Sequence, residues 1–314
     1  MHRYKLGVIG LGAIGLPVAQ NLASQLEIQV WNRSAAKYGE IKSENIAVAH
    51  DLSSFDSQVI VTVLPNSQEV IEVLNSGLLE TLKQDDLLVV MGTVAPESML
   101  IIDEMLATKG ARAIDAPVSG GDIGAQEARL SIMVGGGKED FERLLPYFQM
   151  IGSTTKHVGA LGSAQGLKAC NQIIVGGNLV AIAEALSLSR KFGISDSDFF
   201  EVISQGLAGS NTLTTKWPKL AASDFSGGGK SSFQLKDLKI ALEAAHSVDL
   251  DLPMSELILK MYQLHIDQGN SDLDHSSIIK NYENQLGNIN QKFENKIDKI
   301  QSGDELLLWR SNCP

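Results

Sequence analysis

Apolar residues follow two rhythms along this chain. Up to about residue 160, short runs of aliphatic and β-branched residues alternate with stretches in which apolar positions recur every three or four residues. The short runs predict strands at 5–9, 27–31, 59–63, 87–91, 112–115, 130–134 and 154–158. Between them, helices are predicted at 16–24, 67–74, 96–109 and 138–150, with Pro96 in the first-turn position that proline favours. Such alternation predicts a mostly parallel, doubly wound α/β sheet. From Gly162 onward the helical rhythm continues almost without strands. One helix over 163–192, interrupted only by Gly176 and Gly177, would be on the order of 45 Å long and would serve as an interdomain spine. Further helices are expected at 196–205, 235–246, 254–268 and 276–286. Residues 224–232, DFSGGGKSS, are expected to form a flexible loop.

The predicted organisation is therefore a dinucleotide-type α/β domain over residues 1–161, an all-helical domain over 162–286 and a terminal extension over 287–314. In the extension, Phe293, Ile297 and Ile300 stand at helical spacing. A short amphipathic helix and tail are expected there, docked on the body or on a partner subunit.

Composition narrows the class. The chain has 314 residues, 44% hydrophobic and 20% charged, with a net charge of −11. That charge argues against nucleic acid or an anionic membrane as partner. Only two cysteines, Cys170 and Cys313, are present, so no disulfide framework is implied. The first apolar run begins almost at once, leaving no space for a targeting peptide, and no apolar run approaches the roughly 18 residues of a membrane span. A cytoplasmic protein is expected. The six histidines are scattered and no metal-ligand spacing occurs, so no metal site is expected.

Chemistry concentrates in a few segments. GLGAIG, Gly10 to Gly15, places G-x-G-x-x-G between a strand and a helix. There Gly10 permits the tight turn, Gly12 lets the backbone approach a pyrophosphate, and Gly15 lets helix meet strand, with Leu11, Ala13 and Ile14 between them. This is the fingerprint of a Rossmann-like domain. The second strand ends Asn32–Arg33–Ser34, without the carboxylate that would grip a free ribose 2′-hydroxyl. Arg33 can pair with a 2′-phosphate, so NADP(H) is expected as the preferred cofactor, with NAD(H) also possible. In DAPVSGG the turn at Ser119, Gly120 and Gly121 can grip a carboxylate through N–H groups and the serine hydroxyl. Lys168, Asn171 and Gln172 share a helix face. A lysine there can exchange a proton with a carbonyl or hydroxyl oxygen if its pKa is lowered toward working pH.

Taken together, GVIGLGAIGLPVAQNL, DAPVSGGDIGA, GSAQGLKACNQ and FQLKDLKIALE resemble the β-hydroxyacid dehydrogenase family, in order and across roughly residues 4–286. The resemblance implies Lys168 as the catalytic residue and Ser119 and Gly120 as holders of a substrate acid group. It implies that Lys236 reaches the cofactor, that Asp237 lies at the edge of the active site, that Thr93 lies near the nicotinamide ribose, and that Leu64 and Pro65 line the cofactor. A homodimer or homotetramer is expected by analogy, as is a site between the two domains. In one departure, the family often has an aromatic residue seven positions before Lys236, where this chain has Gly229; the neighbouring Lys230 becomes a candidate for the pocket. Asn171 stands where the related 6-phosphogluconate dehydrogenases carry histidine, which argues against a sugar-phosphate substrate. Two alternatives are an imine-reductase-like enzyme, which would lack a lysine at position 168, and a non-catalytic dinucleotide-binding assembly module, which should have lost Lys168 or Ser119. A serine triad on Ser119 lacks the G-x-S-x-G context.

Overall fold

The computed structural model describes residues 3–283. The 287–314 extension and Cys313 lie outside the described residues, as does the end of the helix expected at 276–286. The chain divides into two compact units, one of Met1–Ile174 with Phe233–Glu256, the other of Val175–Ser232 with Leu257–Pro314.

The first unit is built on a nine-stranded sheet. Its strands are β1 (Tyr4–Ile9), β2 (Ile28–Trp31), β3 (Ile46–Val48), β4 (Ser57–Thr62), β5 (Leu87–Val90), β6 (Arg112–Asp115), β7 (Val118–Ser119), β8 (Leu130–Gly135) and β9 (Gly152–Gly159). The order is β3-β2-β1-β4-β5-β6-β8-β7, with β9 paired to β8. All neighbouring pairs from β3 through β6 are parallel, whereas β8 runs antiparallel to β6 and β7 and parallel to β9. A strand buried on both faces must be apolar at every position, which is why LLVV in β5 and VIV in β4 read as continuous runs. Odd and even residues feed opposite cores. Leu87 and Val89 pack with α1 (Gly15–Ala23) and α6 (Lys138–Gln149), while Leu88 and Val90 pack with α2 (Ser67–Val73) and α4 (Pro96–Ala107). Short helices α3 (Leu79–Thr81) and α5 (Gly121–Gln126) complete this part of the chain.

α7 runs unbroken over Ser163–Lys191, straight through Gly176 and Gly177. It is the one described helix whose length and apolar composition would suffice to cross a bilayer, contrary to the reading that no such stretch exists. Half of its most apolar window is buried in the protein, and its first turns carry Lys168 and Gln172, so it behaves as a core helix. After it come α8 (Asp196–Gln205), α9 (Asn211–Ala222), α10 (Ser231–His246), α11 (Pro253–His265) and α12 (Lys280–Glu283). A 3₁₀ turn over His275–Ile279 replaces the start of the helix expected from 276.

Within the second unit, the buried Asp274 organises the loop expected to be flexible. Its Oδ2 accepts from Lys216 Nζ at 2.7 Å and from Gly229 N–H at 3.1 Å, while Oδ1 accepts from Ser276. His275 N–H donates to the Gly229 carbonyl at 2.7 Å. Residues 224–232 are thus pinned by a buried ion pair, a partner 45 positions away that local composition could not reveal. Lys230 pairs with Asp272 at 2.7 Å on the surface, which accounts for its charge without a pocket.

Candidate functional site

At the end of β1 the chain turns sharply. Gly10 adopts φ +95°, where a Cβ would meet the Val63 carbonyl at 2.5 Å, and a Cβ on Gly15 would overlap the Gly10 carbonyl. Gly12 differs: a Cβ there would find nothing within 4 Å. Two glycines are thus demanded by the fold, and the third leaves an open face for a ligand's approach. Ile14 occupies the N-cap position of α1 and no side chain caps the helix. Leu16 N–H donates to the Gly12 carbonyl at 3.1 Å and Pro17 has none, so the helix start offers an anion the Gly15 N–H and the positive end of the helix dipole. The exposed Ala13 adds no bulk or charge to that face. Leu11 is buried, and its N–H is taken by Asn32 Oδ1 at 2.8 Å. Asn32 also donates from Nδ2 to the Ser34 carbonyl at 2.9 Å. Its side chain therefore braces the glycine loop, a use its position at the end of β2 did not announce.

A cavity of about 200 Å³ opens beside this loop, lined among others by Gly10, Gly12, Trp31, Arg33, Leu64 and Pro65. These residues suit a dinucleotide. The glycine face and helix start would hold its pyrophosphate, and the cavity adjoins Arg33 and Ser34, both exposed at the end of β2. Arg33 Nη2 lies 2.9 Å from Glu72 Oε2 and 3.7 Å from Glu69 Oε2.

A second group of side chains comes together from α7 and α10. Lys168 is buried, and its Nζ donates to Gln172 Oε1 at 3.0 Å. Asn171 Nδ2 donates to the same oxygen at 2.8 Å. Gln172 Nε2 donates in turn to Asp237 Oδ2 at 2.6 Å, and Asp237 Oδ1 lies 2.9 Å from Lys236 Nζ. Lys236 also donates to the carbonyls of Pro65 and Thr93, each at 2.6 Å. The result is a continuous polar path: Lys168, Gln172, Asp237, Lys236, then the loops after β4 and β5. Burial pushes the Lys168 amine below the ordinary lysine range; the Asp237 carboxylate opposes this and the Lys236 charge adds to it. A lysine so placed can hold or release a proton nearer neutrality than a solvated one. Lys236 spends its donors on loop carbonyls, and Asp237 Oδ2 accepts from Gln172, while the buried Oδ1 has the Lys236 charge beside it and accepts no hydrogen bond.

The Ser119 turn is reached through a carboxylate that sequence reasoning passed over. Asp115, fully buried at the end of β6, accepts from the N–H of Gly162 through Oδ1 and of Gln165 through Oδ2, each at 2.9 Å. It satisfies the start of α7 from another element. Burial raises its pKa while these N–H bonds oppose the shift. Four residues on, Ser119 ends β7, half-buried, and Gly120 and Gly121 follow, exposed, at φ +132° and +66°. Gln165, also missed, accepts from Val94 N–H at 3.1 Å and donates to the Gly92 carbonyl at 2.9 Å, fixing the loop that holds Thr93. Both residues stood inside quoted motifs, but only pairings across 50 and 71 positions give them roles. Among the described residues no group of three His, Cys, Asp or Glu could hold a metal ion.

Comparison with known proteins places this geometry. The model of the NAD binding domain of 6-phosphogluconate dehydrogenase matches residues 5–162. The model for the NAD-binding region of NADP-dependent 3-hydroxyisobutyrate dehydrogenase matches residues 162–282. The chain is similar to the 2-(hydroxymethyl)glutarate dehydrogenase of Eubacterium barkeri, at 33% identity over 90% of this chain and 96% of that one. It is likewise similar to the 2-hydroxy-3-oxopropionate reductase of Escherichia coli (strain K12), at 33% identity over 88% of this chain and 96% of that one. The solved structure of Psf3 in complex with NADP+ and 2-OPP superposes with a TM-score of 0.82 at 26% identity, covering 88% of this chain and 99% of that one.

Proposed function

Because the chain belongs to the β-hydroxyacid dehydrogenase family of NAD(P)-dependent oxidoreductases, we propose that it interconverts a short aldehyde-acid or keto-acid and its hydroxyacid, with NADP(H) preferred and Lys168 as the acid–base group. The observation that carries this reading is the buried Lys168 amine, held by Gln172 and depressed in pKa.

A bound nicotinamide supplies or accepts the hydride; the chain's residues do the rest. In reduction the Lys168 ammonium gives its proton to the carbonyl oxygen, which becomes the hydroxyl. In oxidation the neutral amine takes that proton back. The Ser119 hydroxyl and the N–H groups of Gly120 and Gly121 hold the substrate carboxylate, an anion the acidic chain would otherwise repel. Asn171 orients the substrate from the same helix face as the lysine. Asp237 and Gln172 act behind Lys168, through its hydrogen bond, and Lys236 holds the Pro65 and Thr93 loops.

Relatives named for 2-(hydroxymethyl)glutarate and 2-hydroxy-3-oxopropionate support substrates with a carboxylate near the reacting carbon. Succinic semialdehyde, glyoxylate, methylmalonate semialdehyde and tartronate semialdehyde are therefore the panel to test with NADPH and NADH. Turnover of at least one, lost on Lys168→Ala, is expected. A wild-type enzyme inactive on acids but active on neutral aldehydes or imines would overturn the assignment. The cofactor preference rests on Arg33 with no carboxylate at positions 32–34. One charge-assisted contact contributes about 1.5–3 kcal/mol, or roughly 10- to 100-fold.

A further inference from the structure

The sequence places one cation and no anion at the end of β2; the fold brings in two anions. Glu69 and Glu72 lie three residues apart on α2, and Arg33 reaches both, at 3.7 and 2.9 Å. Their position is set by the helix start, where Asn66 Oδ1 accepts from Glu69 N–H at 2.8 Å. Glu69 lines the same cavity as Gly10, Gly12, Asn32 and Arg33. Formal charge there is −1, one guanidinium against two carboxylates, which is unusual for a place expected to receive a phosphate.

We infer that Glu69 and Glu72 set the cofactor preference by competing with a ribose 2′-phosphate for Arg33. This rests on the reading that Arg33 meets that phosphate. A 2′-phosphate carries about −1.5 to −2 charges at neutral pH. To bind it, Arg33 must turn its fork from Glu72 while two like charges stay close by. An unphosphorylated ribose asks for no such exchange, and the Arg33–Glu72 pair persists. The carboxylates therefore narrow the preference that Arg33 alone would give and keep NAD(H) usable. Arg33 and Glu72 are exposed and Glu69 partly so, with side chains 61%, 59% and 29% accessible, so solvent screens the competition. Each carboxylate is worth roughly 1.5- to 5-fold in binding.

The test uses the full chain and two probes, adenosine 2′,5′-bisphosphate and adenosine 5′-monophosphate, with Kd measured by calorimetry. Glu72→Gln and Glu69→Gln should each tighten the bisphosphate by about 1.5- to 5-fold, and together by the product, leaving the monophosphate unchanged. Glu72→Asp keeps the charge and should leave the selectivity between the probes near wild type. A double Gln variant that binds the bisphosphate no better than wild type overturns the inference. Arg33→Ala separates the two ideas. If it weakens the bisphosphate while the double variant does nothing, only the competition is wrong. If it leaves the bisphosphate untouched, Arg33 is not the phosphate's partner and both fall.

Discussion

Replacing Asp237 by Asn should move the pH dependence of the reaction in a direction the polar path fixes in advance. In oxidation the working form of Lys168 is neutral, so kcat/KM rises with pH until Lys168 is deprotonated. Burial lowers that pKa, and the Asp237 carboxylate pulls it part of the way back up. Removing the negative charge must therefore lower it further and shift the rising limb to lower pH. Two hydrogen bonds of 3.0 and 2.6 Å with one amide between them connect the two groups. Ammonium and carboxylate are thus no more than about 8 Å apart, and at an effective dielectric near 20 that is about 2 kcal/mol, or about 1.5 pH units. Asn keeps an oxygen for Gln172 Nε2, so the link from this position to Lys168 survives the substitution. Lys236→Met removes a charge that lowers the same pKa and should shift the limb the opposite way. The assay is kcat/KM for hydroxyacid oxidation from pH 6 to 10 in the three proteins. A limb that stays put, or moves upward in Asp237→Asn, would refute the coupling.

Further outcomes follow from the same geometry. Lys168→Ala should lower kcat by about 10²–10⁴ with cofactor Kd unchanged, measured by steady-state kinetics and fluorescence titration; near-normal turnover would make the lysine structural. Replacing the substrate's carboxylate by an amide should cut kcat/KM strongly, because donors at the Ser119 turn would lose their anion; equal efficiency would remove the role proposed for that turn. Gly12→Ala should spare the urea midpoint yet weaken the cofactor, since its Cβ meets only open space. Gly15→Ala should cost about 1–3 kcal/mol or more of stability through its overlap with the Gly10 carbonyl. Arg33→Ala should raise KM for NADPH and leave that for NADH nearly unchanged; equal effects on both would mean that Arg33 only stacks on adenine.

Sequence periodicity reached the sheet because two-sided burial writes itself as unbroken apolar runs, and five of the parallel strands read out within two or three residues. It missed β3 and β7, three and two residues long, too short to show a period. It missed α9 because Pro218 reads as a break. The helix continues past it with Ser210 capping Leu213 N–H at 3.1 Å and with Leu213 and Leu220 buried one above the other. The site was legible where one segment holds both partners, as in Lys168 with Gln172. It was not legible where partners lie far apart in the chain. Asp115 beneath α7, Gln165 against the β5 loop and Glu72 against Arg33 each need the fold before they have a function.

Asn32 limits how this enzyme could be redesigned. Exchanging one nicotinamide dinucleotide for the other is usually attempted at the end of the second strand, as though each side chain there were an independent dial. Here the Asn32 amide oxygen carries the Leu11 N–H of the glycine loop, so most replacements would slacken the loop while altering selectivity. Aspartate keeps that acceptor and adds a negative charge, but it gives up the donation to the Ser34 carbonyl and sets a carboxylate oxygen against it. A mutant library that holds position 32 to Asn and randomises 33, 34, 69 and 72 would vary recognition while keeping both hydrogen bonds that brace the glycine loop.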